Sequence, residues 1–184
     1  IIKSPGRSHA IAGNSRKIRT TLNAFYGTSP QPFIAYELPS FRIIYANPAF
    51  LNLYGYGIKE YAKLTVKDLF GSDQKESLFT NIFKQFQKSP KPVSASNIKK
   101  NKTSIKVQLY GGTVVTGGYT YDTIHINDVT EKSKLEEEKK LFEAVNLAIS
   151  NAKSAKEGLR NALDCIRSYV GCELVELWNF SQEN

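Results

Sequence analysis

The sequence contains no methionine, and only two cysteines and two histidines stand among its 184 residues. Two thiols, Cys165 and Cys172, are too few for the disulfide framework of a small secreted protein, so we expect a reducing, cytoplasmic setting. No apolar run approaches the roughly 18 residues that a membrane-spanning helix needs, and no signal peptide opens the chain. Because the first residue is Ile, we expect a segment of a longer protein, which leaves open a membrane anchor elsewhere in that protein.

The usual arrangements of catalytic and metal-binding side chains are missing as well. The sequence offers no paired carboxylates, no Ser-His-Asp order and no cluster of metal ligands. The glycines of residues 110–119 (YGGTVVTGGY) lie in a strand-hairpin context without a following helix, so they do not form a dinucleotide-binding fingerprint. His125 stands alone in a strand-like run, where we expect a hydrogen-bonded sheet residue. We therefore expect neither a metal site nor enzyme activity within this chain.

The net charge of +8 is uneven along the chain, because the excess of Lys and Arg lies in residues 1–130. Such asymmetry can mark a nucleic-acid-binding surface. Here the basic side chains are scattered, with one group at residues 16–19 and another at residues 99–102, which favours a solvated surface. Nucleic-acid binding is kept only as a less favoured alternative.

The order of the local patterns predicts the fold class. Residues 1–15 show no sustained period and are interpreted as a lead-in, and helical spacing follows at 16–26. Short or amphipathic helices are predicted at 58–64 and 74–88. Strand-like runs lie at 33–38, 41–46, 93–98, 104–115 and 119–129. Two strands, several short helices and three strands predict an α+β fold, in which a five-stranded antiparallel sheet carries short helices on one face.

The stretch IYANPAFLNLYGY (residues 44–56) predicts an abrupt change from strand to helix. Asn47 can cap a helix by accepting a hydrogen bond from a backbone N–H two or three residues further on. Pro48 then stands at the first helical position, where its missing N–H costs nothing. Gly55 can end the helix because it tolerates a left-handed backbone.

From residue 131 the pattern becomes that of a charged helix, which we interpret as a linker over residues 131–150. Its apolar positions Leu135, Phe142 and Ile149 are spaced by heptads, with Val145 between them. About two and a half heptads fall short of a coiled-coil signature, but this apolar seam motivates the prediction of a homodimer paired through these helices. Residues 151–184 contain a second amphipathic helix and a strand from residue 172, which we interpret as the start of a truncated second domain.

Residues 16–132 resemble the PAS sensory-domain family. The resemblance rests on the hairpin PFIAYELPSFRIIYANPAF, the corner NPAFLNLYGY, the segment IKEYAKLTVKDLF and the ending INDVTEK. In that ending, Asp128-Val129-Thr130 matches the Asp-hydrophobic-Thr signature with which many PAS domains end before a helical linker. The later stretch AKEGLRNALDCIRSYVGCELVELW is similar to the first helix and strand of a GAF domain, another sensory fold.

The resemblance implies a non-catalytic sensory module, spanning residues 16–130, within a larger signalling protein. Such modules most often belong to sensor histidine kinases of two-component systems or to cyclic-dinucleotide enzymes, and we expect a histidine kinase as the parent. The module would sense a small ligand or a partner and relay the signal through the linker helix. The alternative is a ligand-free protein-interaction and dimerisation module.

In PAS folds a cavity lies between the sheet and the short helices, and mostly apolar pockets need only a few polar groups. The other interpretation of the same side chains is a packed core without a ligand. No cofactor can be named: residues 1–164 contain no cysteine for a flavin photoadduct, and residues 74–88 contain no histidine for haem. The expected lining residues are Phe50, Tyr54, Leu69, Phe83, Leu109 and Ile124.

The resemblance also assigns a role to Asp128 and Thr130. A strand-to-helix corner needs a cap, which the Thr130 side chain can supply, with Glu131 near the positive end of the helix. In PAS domains this corner couples distortion of the sheet to the linker. We therefore expect Asp128 and Thr130 to be signal-coupling residues.

Overall fold

The computed structural model describes residues 11–71, 75–88, 91–116 and 118–175. Internal contacts divide the chain after Thr130 into two units. Within the described residues, the helices are α1 (Ile11–Tyr26), α2 (Pro48–Tyr54), α3 (Lys75–Lys88), α4 (Thr130–Ser150) and α5 (Ala155–Val170). The strands are β1 (Phe33–Tyr36), β2 (Ile43–Ala46), β3 (Val93–Ile98), β4 (Ser104–Thr116) and β5 (Tyr119–Asp128).

The five strands form one antiparallel sheet in the order β2-β1-β5-β4-β3, which confirms the predicted fold class. The last strand, β5, therefore lies in the middle of the sheet, between β1 and β4. Its register places Ile124 opposite Ile34 of β1 and Ile126 opposite Leu109 of β4. Because residues on a strand alternate between faces, these isoleucines point to the same side of the sheet.

That side carries the main hydrophobic core, and the short helices pack on it as predicted. Ile105, Val107 and Leu109 of β4 are buried there at alternate positions. Two 3₁₀ turns, Tyr61–Lys63 and Val66–Leu69, replace the single helix that was predicted at 58–64. The helices and turns contribute the buried side chains Phe50, Tyr54, Tyr61, Val66, Leu69 and Ile82.

The helix α1 packs on the opposite face of the sheet, over β1 and β2. Ile18 and Leu22 are buried against Phe33 and other side chains of β1 and β2, and the ring of Tyr26 stacks on Phe33 with 3.8 Å between centroids. This helix begins at Ile11, inside the predicted lead-in, where the sequence shows no apolar helical spacing. Residues 1–10 of the lead-in lie outside the described residues.

The corner between β2 and α2 is built as predicted. Asn47 is the N-cap, with its Oδ1 accepting a hydrogen bond from the Phe50 N–H at 3.0 Å, and Pro48 is the first helical residue. Gly55 ends the helix with φ +76°, in the left-handed region that glycine adopts without a steric penalty. The strand therefore changes to a helix within one residue.

Asn47 makes more contacts than a helix cap requires. Its Oδ1 also accepts a hydrogen bond from the Phe33 N–H at 2.9 Å. Its Nδ2 donates toward the carbonyls of Tyr26, Ser29 and Gln31, at 3.2, 3.4 and 2.9 Å. The side chain has no solvent exposure, so one buried amide fixes the end of α1, the loop after it, the start of β1 and the start of α2.

The second unit contains α4 and α5, both of which lie close to their predicted ranges. Ser154 caps α5 by accepting from the Glu157 N–H, and Gly171 ends it. The predicted strand from residue 172 is not formed over residues 172–175, and its remainder lies outside the described residues. In the parts of the chain that the structure describes, no helix has the length and apolarity to cross a bilayer.

Replacing Asn47 by Ala should lower the free energy of unfolding by about 3 kcal/mol, because buried N–H and C=O groups lose their partners. Urea denaturation followed by circular dichroism measures the change. Asn52→Ala is the matched control, since Asn52 lies on α2 with an exposed side chain, and it should change stability by less than about 0.5 kcal/mol. Equal losses for the two variants would contradict the proposed importance of the buried amide.

Candidate functional site

The six predicted pocket residues come together in the main core. Phe50, Tyr54, Leu69, Leu109 and Ile124 are each no more than 2% exposed, and Phe83 is partly buried against the same cluster. The rings of Phe50 and Tyr54 stack with 4.5 Å between centroids. The residues are therefore neighbours, and in this structure they pack as core side chains.

The main core holds one buried polar pair, which the sequence analysis missed. The hydroxyl of Tyr54 donates to Oδ1 of Asn97 at 2.6 Å, and both side chains are at most 1% exposed. Asn97 lies on β3, 43 residues further along the chain, so the bond joins α2 to the edge strand of the sheet. The backbone reinforces this junction, since the Lys100 N–H donates to the Tyr54 carbonyl at 3.0 Å.

Burial controls the proton chemistry of this pair. It raises the pKa of Tyr54 far above the usual value, with smaller contributions in the same direction from the negative charge of Asp128 and from Tyr56. Tyr36, in the same core, has its pKa raised mainly by burial and then by Asp122. Both phenols therefore stay protonated at neutral pH, and Tyr54 remains a hydrogen-bond donor.

Aromatic rings close one end of the core. Phe83 of α3 makes edge contacts with Tyr36 at 5.6 Å, Phe41 at 5.0 Å and Phe86 at 5.7 Å between centroids. Phe86 in turn lies over Gly111 of β4, where an added Cβ would overlap the Phe86 ring. Gly111 is therefore needed for the close approach of α3 to the sheet.

His125 lies on the α1 side of the sheet, away from the predicted pocket. Its ring makes edge contacts with Phe33 at 4.8 Å and with Tyr26 at 5.6 Å. Burial lowers its pKa, so the imidazole is neutral at physiological pH. Within the described residues no group of His, Cys, Asp and Glu side chains is arranged to hold a metal ion.

The corner between β5 and α4 brings the two predicted coupling residues into contact. Oδ1 of Asp128 accepts hydrogen bonds from the backbone N–H of Thr130 at 2.9 Å and from its hydroxyl at 2.6 Å. The expected roles are thus reversed: Asp128 supplies the cap, and Thr130 is the first residue of the helix. Oδ1 of Asp128 reaches forward to the N–H two residues further on, which is the geometry of an Asx turn at the start of the helix.

Thr130 also binds the neighbouring strand. Its hydroxyl oxygen accepts a hydrogen bond from the Lys106 N–H of β4 at 3.0 Å, and the Val129 N–H donates to the Lys106 carbonyl at 2.9 Å. The first residue of α4 is therefore bonded both to the end of β5 and to β4. Displacement of either strand changes these bonds.

The predicted dimer-seam residues of α4 are half-buried to exposed within the described part of the chain. Leu135, Phe142 and Ile149 are 65%, 67% and 49% exposed, and Val145 is half-buried. Another side of the same helix faces α5 across a groove of about 540 Å³. That groove is lined by Leu141, Ala144, Cys165, Ser168 and Tyr169, with Glu137, Lys140 and Asp164 at its charged positions.

Comparison with known proteins agrees with this geometry. The PAS domain family matches residues 30–131, more than half of the chain. A PAS domain from Desulfitobacterium hafniense is similar with a TM-score of 0.50 and 18% identity, covering 57% of this chain and 98% of that one. A Rhodobacter sphaeroides LOV protein is similar with a TM-score of 0.55 and 16% identity, covering 85% and 94%.

A further similar structure is the PAS domain of the fruit-fly ELK potassium channel. Its TM-score is 0.50 at 16% identity, and the match covers 60% of this chain and 96% of that one. At such identities the likeness is one of fold. No curated protein matches the sequence.

Replacing Tyr54 by Phe should flatten the alkaline loss of stability. A buried phenol keeps its proton while an unfolded tyrosine loses it near pH 10, so stability falls as pH rises above about 10. Without Tyr54, the folded and unfolded states differ by about one bound proton less, so the slope of stability against pH is smaller. Unfolding free energies measured between about pH 9 and about pH 11.5 give the slope.

Ile124→Val is the control for this titration, because Ile124 is buried in the same core and carries no group that titrates. It should keep the wild-type slope. A Tyr54→Phe slope equal to that of the wild type would show that Tyr54 is not held protonated by the fold.

Proposed function

The chain belongs to the PAS domain family, and we propose that it is the sensory module of a larger signalling protein that relays a signal from the PAS core to the helix α4. PAS domains are non-catalytic sensory modules, so the chemistry of the response belongs to another part of the parent protein. We propose a sensor histidine kinase as that parent, as the sequence resemblance implies. Residues 151–184 would then begin a GAF-like domain, for which α5 and its capped ends are the supporting feature.

The observation that carries this proposal is the hydrogen bonding of Thr130. It is the first residue of α4, and it is bonded to Asp128 of β5 and to Lys106 of β4. The central strand β5 also contributes Ile124 and Ile126 to the core. A change in the core that moves β5 against β4 must therefore alter the first turn of α4.

Two alternatives are proposed for the signal that the core senses. A small organic ligand would enter between the sheet and the short helices, where it would contact Phe50, Tyr54 and Phe83, and a polar group on it would compete for the Tyr54–Asn97 hydrogen bond. The close packing of those side chains favours the second form, a ligand-free module that responds to a protein partner or to pairing with a second copy. Residues 30–131 contain no cysteine, which argues against a flavin–cysteine adduct in either form.

The linker is proposed to pair two copies of the chain. Leu135, Phe142 and Ile149 follow a heptad spacing and are exposed within the second unit, and apolar side chains at such spacing gain stability by packing against a second helix. Pairing through α4 would place the relayed change at the dimer axis. The described surface gives no independent support to the nucleic-acid alternative.

Asp128→Ala should uncouple the response from the core without unfolding the domain. Loss of the cap should cost about 1 kcal/mol of stability, while the signal-dependent change in output of the full-length parent should fall at least about fivefold. Thermal unfolding and hydrogen exchange at the first turn of α4 accompany the output assay.

Asp68→Ala is the matched control, because Asp68 accepts from the N–H and hydroxyl of Thr65, each at 2.8 Å, at a turn remote from α4 in sequence. It should destabilise the domain to a similar extent and leave the output unchanged. Normal output in Asp128→Ala, or equal losses of output in both variants, would refute the relay.

Phe142→Glu should convert dimers to monomers, since it places a charge at the middle of the apolar seam. Native mass spectrometry beside the denatured mass measures the oligomeric state and any bound small molecule in one experiment. Leu147→Glu is the control, because Leu147 is 63% exposed on the same helix but outside the heptad positions. Dimers that survive Phe142→Glu, or that Leu147→Glu also dissociates, would contradict the seam.

The mass of the native species separates the two forms of sensing. A mass above that of the polypeptide favours the ligand-binding form and allows the ligand to be identified. A dimer of the bare polypeptide favours the ligand-free module.

A further inference from the structure

A surface groove of about 830 Å³ lies where the last strand, β5, leaves the sheet. Its walls are the loop between α1 and β1, one side of α2 and the last three residues of β5. Every lining residue belongs to the first unit and to the described part of the chain. The groove shares no residue with the pocket predicted in the main core. We call it the corner groove.

The backbone of the corner groove offers few hydrogen-bond donors. Two of the six residues in the α1–β1 loop (27–32) are prolines, which have no N–H. Three others donate their N–H to acceptors within the loop or α1, namely Gly27, Ser29 and Gln31. Only the N–H of Thr28 is left without a partner among the described residues. A ligand that fits this wall must therefore bring donors of its own.

The charge of the corner groove is opposite in sign to that of the chain. Although the chain carries a net charge of +8, Asp128 is the only charged residue among those that line the groove. Oδ1 of Asp128 accepts the two hydrogen bonds from Thr130, but its Oδ2 has no hydrogen-bond or ion-pair partner among the described residues. The groove thus contains a carboxylate oxygen that is not neutralised by a lysine or arginine of its own wall.

Two observations place this carboxylate on the α2 side of the sheet. Asp128 pairs with Val107, whose side chain is buried in the main core, so the neighbouring Lys106 points to the other face. The pKa of Tyr54 on α2 is raised first by burial and then by the negative charge of Asp128. The charge therefore acts on the side where α2 forms the wall of the groove.

The rest of the corner groove is largely apolar. Pro30, Pro32 and Pro48 supply rigid rings, and Ala49 and Leu53 of α2 are partly exposed beside them. Small-molecule sites typically combine such an apolar wall with a few polar groups that fix orientation. The chemistry matches a molecule with an apolar body and a single donor-rich, positively charged end.

We propose that the corner groove binds a small organic cation. Its ammonium or guanidinium group donates to Oδ2 of Asp128, in the kind of charge-assisted hydrogen bond that is stronger than a neutral one. Its apolar body lies against the prolines and Leu53. Binding here does not require a cavity in the packed core, and it is a claim separate from the relay. An effect of the cation on α4, which Asp128 caps, would in addition rest on the proposed function.

Three probes of similar shape test the charge preference. These are phenethylamine, which is protonated at neutral pH, the neutral 2-phenylethanol and the anionic 3-phenylpropionate. Each is titrated into the full chain at about 20 mM salt, where electrostatic contacts are weakly screened, and amide chemical shifts are followed by NMR. Phenethylamine should bind at least about tenfold more tightly than 2-phenylethanol, with the largest shifts at residues 27–32 and 126–128. Non-specific attraction to a chain of net charge +8 would favour the anion instead.

Asp128→Asn removes the charge and keeps an oxygen that can cap α4, since Asn and Asp are both good capping residues. It should weaken phenethylamine at least about fivefold and leave 2-phenylethanol unchanged. Asp68→Asn is the matched control, because Asp68 also accepts from the N–H and hydroxyl of a threonine but does not line the groove. It should change neither affinity.

The proposal is overturned if phenethylamine binds no more tightly than 2-phenylethanol, or if 3-phenylpropionate binds most tightly. It is also overturned if the shifts lie outside the corner groove, or if Asp128→Asn and Asp68→Asn behave alike. None of these results depends on the output of a parent protein, so a failure of the relay leaves the test of the groove intact.

Discussion

The fold depends on the buried amide of Asn47 more than on any other single polar group described. The sheet has a different layer on each face, with α1 on one side and the short helices on the other. Asn47 lies between these layers: its Nδ2 binds the carbonyl at the end of α1, and its Oδ1 binds the first turn of α2. A buried amide with all of its hydrogen bonds satisfied stabilises, whereas each missing partner carries a desolvation penalty. The two layers are thus held in register by one side chain.

Much of the fold was predictable from the sequence, because it depends on interactions between residues that are close in the chain. Caps and breakers act within a few residues, so Asn47, Pro48 and Gly55 identified the corner, and alternation identified the buried face of β4. The order of strands and helices then predicted a five-stranded antiparallel sheet. The heptad spacing of Leu135, Phe142 and Ile149 likewise identified positions that are exposed on α4.

The remaining features depend on contacts between distant parts of the chain. The Tyr54–Asn97 hydrogen bond spans 43 residues, and no local sequence pattern near either residue predicts it. Residues 11–15 of α1 carry no apolar helical spacing that would distinguish them from a lead-in. At the β5–α4 corner the residue types were identified but not the direction of the hydrogen bonds, since Asp and Thr can both cap a helix. The pocket residues could not be separated from core residues by type, because the same apolar side chains serve both purposes.

In the proposed relay, the position of β5 is what a signal in the core would change. This strand lies between β1 and β4, contributes Ile124 and Ile126 to the core, and ends at the carboxylate that caps α4. A ligand among the core side chains would act on β5 through those isoleucines. The neighbouring strand β4 is bonded to the same junction, because the Lys106 N–H binds the Thr130 hydroxyl. Thr130 is therefore hydrogen-bonded to both strands, and in the proposed relay a displacement of either strand would alter the first turn of α4.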